Sequence, residues 1–156
     1  MSYVVSGLPV EDFAPLFGLS DSELAARGAE RITASDDGFY PCRVTLQDAA
    51  PGETLLLLNH EHQPAQTPYR SRHAIFVREA AGETARLTDS MPAILSTRRL
   101  MALRAFDAGG RMIAAETVPG PEVVATALRL LDNPEAAYLH AHNPARGCWA
   151  ACVDRA

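Results

Sequence analysis

His60 and His62, and again His140 and His142, share a His-x-His spacing. In an extended strand, residues two apart project to the same face, so each pair can present two imidazoles to one divalent ion or one substrate group. Cys148 follows the second pair and adds a thiol that could act as a ligand or, beside an imidazole, as a nucleophile. The same residues also fit an ordinary half-buried strand, because Tyr138, His140 and His142 alternate with the apolar Leu139 and Ala141. No HExxH helix, CxxC pair or carboxylate triad accompanies them. A metal site on His60, His62, His140 and His142 is therefore an alternative reading, not the leading one.

A second group lies in Pro68-Tyr69-Arg70-Ser71-Arg72-His73. Two guanidiniums, a phenol and an imidazole at a loop-to-strand junction can receive a carboxylate or phosphate, with arginine supplying paired donors. Neither a G-x-S-x-G elbow nor a Gly-rich phosphate loop is present. The leading expectation is a domain that binds a small anionic ligand, with its status as an enzyme left open. Its site would lie where the loop Glu61 to Arg72 meets the C-terminal hairpin. Tyr69, Arg70, Arg72 and His73 would take the anionic group, and His140, His142 and Cys148 would supply polar or proton-transfer contacts. The competing class is a noncatalytic interaction module or homodimer contact built from the same residues.

The elements that must position these groups are mostly strands. Tyr3 to Ser6, Arg31 to Thr33, Pro41 to Leu46, Glu53 to His60, Ala74 to Arg78 and Arg86 to Thr88 read as extended. The run Leu55 to Leu58 has no helical period, which predicts a central strand covered on both faces. Leu100 to Phe106 and Arg111 to Val118 form a hairpin through Asp107 to Gly110, and Ala137 to Asn143 pairs with Cys148 to Arg155 across Pro144 to Gly147. Cys152 reads as a core residue of that last strand. Ser20 and Glu23 have capping-box spacing, predicting a short helix over about 20–27 that ends at Gly28. Val123, Val124, Ala127, Leu128, Leu130 and Leu131 form an apolar stripe behind Pro121, predicting a helix over about 121–132. The expected fold is a single α+β domain, 1–156, with a mixed or mainly antiparallel sheet of hairpins.

Composition narrows the classes. The net charge is -5, and all 14 basic residues are arginine. That balance argues against nonspecific nucleic-acid binding, and the absence of lysine removes Schiff-base chemistry. Three cysteines fit a reducing compartment, and no segment reads as a signal peptide or membrane span, so the expectation is a cytoplasmic protein.

Pro41-Cys42-Arg43, Leu55 to Leu58, Pro68-Tyr69 running into Ala74-Ile75-Phe76-Val77, and Gly147-Cys148 before an alternating strand together resemble a bacterial family catalogued as domain of unknown function 1203. The resemblance covers most of the chain. It implies a small bacterial protein and carries over no catalytic residue; His60 and His62 stand outside the resembling segments.

Overall fold

Alternating apolar residues build two antiparallel sheets, seen in a computed structural model that describes residues 1–156. The strands and helices are β1 (Tyr3–Ser6), α1 (Asp21–Ala26), β2 (Ala29–Thr33), β3 (Thr54–Gln63), β4 (Ser71–Arg78), β5 (Arg86–Thr88), α2 (Ala93–Ser96), β6 (Met101–Phe106), β7 (Met112–Val118), α3 (Val123–Asp132), β8 (Tyr138–His142) and β9 (Trp149–Arg155). One sheet has six strands in the order β5-β1-β9-β8-β6-β7; the other has three, β2-β3-β4. The fold is α+β and its strand ladders are all antiparallel.

The larger sheet buries one face against α3. Leu103, Ala105, Leu139, Ala141, Ala151 and Val153 meet Val123, Ala127, Leu130 and Leu131 in the main core. Each of these side chains removes apolar surface from water, about 1.5–3 kcal/mol for a fully buried leucine or valine. The predicted helix is present but starts at Val123, because Gly120–Glu122 forms a 3-10 turn around Pro121. At its C-terminus Arg155, from the end of the chain, donates to the carbonyls of Leu131 and Asn133, and also to that of Ala136 in the following turn. At α1 the predicted capping box forms: the Ser20 N–H donates to Glu23 Oε2 at 2.8 Å and the Glu23 N–H to Ser20 Oγ at 3.3 Å.

In the smaller sheet β3 is central, as the leucine run predicts. Leu56 packs with Leu24 and Ala29 on one side, and Leu55 with Ala34 and Ala49 on the other. Two expectations need correction. Pro41 to Leu46 is not a strand: it makes only isolated bridges, Pro41 to Asp48 and Cys42 to Phe76, and Leu46 turns back with φ 55°. Cys42, Val44 and Leu46 are buried as the alternation implies. The backbone of Arg43, however, is spent on long-range bonds, donating to the Phe76 carbonyl and accepting from the Leu8 N–H. The polar loop is also shorter than 61–72, because β3–β4 pairing continues past a bulge to Gln63 and Ser71.

Candidate functional site

On β8 the alternation sends Leu139 and Ala141 into the core and Tyr138, His140 and His142 to the opposite face. That polar face is covered by the end of β3. The His62 ring lies 5.0 Å from that of His142 and 6.1 Å from that of His140, and the latter two are 6.0 Å apart. Aromatic rings enclose the group: Phe106 and Tyr138 stand 5.0 Å and 5.2 Å from His140, and Trp149 meets it edge-on at 6.0 Å. Gln63, 2% exposed, locks the two sheets together by donating from Nε2 to the Tyr138 hydroxyl at 2.9 Å.

Burial is the main cause of the unusual electrostatics. It pushes the pKa of His62 down to about 4 and those of His140 and His142 down to about 3, and Arg104 and the neighbouring imidazoles act in the same direction. All three rings are neutral at pH 7. His142 Nδ1 lies 2.9 Å from the carbonyl oxygen of Gly147, an acceptor only, so Nδ1 carries the proton and Nε2 presents a bare lone pair. That Nε2 is buried without a partner, as are Nδ1 of His62, Nδ1 of His140 and Nε1 of Trp149. Buried polar atoms are normally paired, so four orphans in one place mark an unusual environment.

The cluster opens onto a cleft of about 620 Å³ lined by His62, Gln63, Tyr138, His140, Cys152 and Asp154, with the Gly109-Gly110 turn at its edge. Arg104 stands opposite His140 in the β6–β8 register, on the same face of the sheet. Partial burial lowers its pKa, and it forms no ion pair. Cys152 donates to Asp154 at 3.4 Å; burial first, then that carboxylate, push its thiol pKa up, so it stays protonated. A larger cleft of about 820 Å³ near Thr45, Asp48, Glu83 and Arg86 has no histidine or cysteine in its lining.

The chain belongs to the DUF1203 family. The family model, described as Protein of unknown function (DUF1203), matches residues 39–155 and so spans every residue of this cleft. No curated protein and no solved structure matches the chain. In this DUF1203 protein no helix is long and apolar enough to cross a membrane.

Of the residues singled out from the sequence, His62, His140 and His142 come together. His60 is drawn aside, its ring 5.5 Å from that of Phe13. His73 pairs with His60 across β3–β4, and its Nε2 lies 3.8 Å from where a Gly147 Cβ would stand, so β4 does reach the C-terminal hairpin. The loop arginines face elsewhere. Arg70 pairs with Glu61 at 2.9 Å and Arg72 donates to Asn59 Oδ1 at 2.6 Å, both partners being on the face of β3 opposite His60. The Tyr69 ring lies 6.0 Å from the Arg111 guanidinium. Cys148 sits just before β9 and accepts from Arg43. Arg104 escaped notice in the sequence. Its one signal there is a charged residue inside the otherwise apolar run Met101 to Phe106.

Proposed function

We propose that this protein binds a small molecule bearing a carboxylate or phosphate in the cleft over His62 and His140, with Arg104, outside the lining but opposite His140, supplying the positive charge that outweighs the Asp154 carboxylate at the rim. The observation that carries the reading is the unpartnered Arg104 beside three neutral imidazoles with orphaned nitrogens. A partly desolvated guanidinium without a carboxylate attracts an anion strongly, and neutral imidazoles can donate to it or accept from the ligand's hydroxyl groups. With such low pKa values the rings orient the ligand first. They become useful acid–base groups only when a bound anion raises those values.

A thermal-shift screen of mono- and dicarboxylates and phosphate monoesters tests this. At least one compound should raise the melting temperature of the wild type, and Arg104→Gln should lose most of that shift. No shift across the panel, or an undiminished shift in the variant, sinks the reading.

A divalent ion held by His62, His140 and His142 is the second reading. It is favoured by His142, whose Nδ1 is tied to a backbone carbonyl while Nε2 is left bare, as in metal-bound imidazoles. It requires the other rings to turn, since no group of three or more metal-binding side chains is arranged to hold an ion as they stand. Zinc titrated into untagged protein decides it: binding near one ion per chain, lost in His142→Gln, would favour the metal.

A further inference from the structure

Arg43 is only 4% exposed, a depth at which a guanidinium is normally paired with a carboxylate. Here its side chain makes one polar contact, Nη2 donating to Cys148 Sγ at 3.5 Å, and its Nε is buried without an acceptor. Asp48 does not fill the role, because both of its oxygens accept from Arg98, at 2.8 Å and 2.9 Å. Guanidinium groups only donate, so the sulfur forms that complement Arg43 are anionic ones, thiolate and sulfenate.

We propose that Cys148 is a hydroperoxide-reactive thiol positioned by Arg43. The other two cysteines are occupied. Cys42 is fully buried and its sulfur accepts from the N–H groups of Thr45 and Arg78, while Cys152 is bonded to Asp154. Cys148 is partly exposed. It hydrogen-bonds to no histidine or carboxylate, and the one charged group that meets its sulfur is the Arg43 guanidinium. That favours oxidation over acyl transfer, which needs a base to pass the proton on.

In the reaction, the Cys148 thiolate attacks the distal oxygen of a hydroperoxide. The S–O bond forms as the O–O bond breaks, and the sulfur gives up two electrons. The sulfur keeps the distal OH as sulfenic acid, and the departing alkoxide or hydroxide takes a proton from solvent to become alcohol or water. Two molecules of a small external thiol restore the cysteine, the first displacing water to form a mixed disulfide and the second releasing Cys148 as a disulfide forms between them.

Hydrogen peroxide at substoichiometric dose, followed by dimedone and peptide mass spectrometry of the full chain, reads the site directly. The label should appear on Cys148 ahead of Cys42 and Cys152. Iodoacetamide at pH 7 should alkylate Cys148 about ten times faster than free N-acetylcysteine, and Arg43→Lys should slow that reaction several-fold. Label on another cysteine, or a wild-type alkylation rate no greater than that of the free thiol, would overturn the proposal without recourse to any variant. An unchanged rate in a folded Arg43→Lys protein would overturn the role of Arg43.

Discussion

The His142 ring of one sheet meets the His62 ring of the other at 5.0 Å and 72°, edge to face. This contact joins the ends of β3 and β8, and without a bound anion both imidazoles are uncharged at neutral pH. Protonating either would place a cation against a buried neighbour, with Arg104 close by.

Stability should therefore depend on pH in a defined direction. The folded pKa values of His140 and His142, about 3, lie below the unfolded value near 6.5. The unfolded chain takes up protons first as pH falls, so stability is full above about pH 6.5 and declines from there towards pH 3. At pH 5 the loss is on the order of 1–2 kcal/mol for each of these two rings. Urea midpoints at pH 7.5 and 5 measure it, and His142→Gln should flatten the dependence. Equal midpoints in the wild type would mean that the rings are not buried as described.

Tyr138→Phe removes the hydroxyl that accepts from Gln63, and leaves a buried amide without that partner. The expected cost is about 1–3 kcal/mol in chemical denaturation. Tyr138→Phe with Gln63→Leu should recover part of it, because both polar ends are then gone.

Gly110→Ala should be more damaging than an ordinary turn substitution. Gly110 has φ 79°, and an added Cβ would stand 2.3 Å from the Ala65 Cβ, at the edge of the cleft. A loss of about 1–3 kcal/mol is expected from overpacking and the left-handed backbone together. Gly52, with φ 87° but open space around it, isolates the backbone component and should cost less as Gly52→Ala.

A carboxylate ligand in the cleft should bind more tightly at pH 5 than at pH 7, because the free rings titrate at about 4 for His62 and about 3 for His140. Its charge raises the pKa of the imidazole it touches, so binding takes up a proton. Isothermal titration in two buffers of different ionisation enthalpy would show that uptake. Affinity independent of pH would place the ligand away from His62 and His140.

Local patterns made much of this fold legible. The β6–β7 hairpin, α3 and the alternation in β8 are all set by neighbours in sequence, through the Asp107 to Gly110 turn, the apolar stripe and the period of two. Pro41 to Leu46 shows where this stops. Its alternation tracks burial correctly, yet its backbone bonds run to Leu8 and Phe76, and no local rule reveals them. The candidate site was half visible for the same reason. His-x-His spacing reports a shared face, but that His62 joins His140 and His142 while His60 turns towards Phe13 depends on the packing of two sheets. Arg70 and Arg72 illustrate the converse, since Glu61 and Asn59 come within reach of their guanidiniums only once β3 and β4 pair.

Anion binding over the neutral histidines is read most directly in the imidazole region of long-range proton–nitrogen NMR spectra, recorded at pH 7 while the carboxylate and phosphate-monoester panel is added. His62, His140 and His142 should be neutral, with His142 protonated at Nδ1, and a ligand should shift the His62 and His140 signals. Shifts confined to His60 and His73, or rings already charged at pH 6 without ligand, would contradict it.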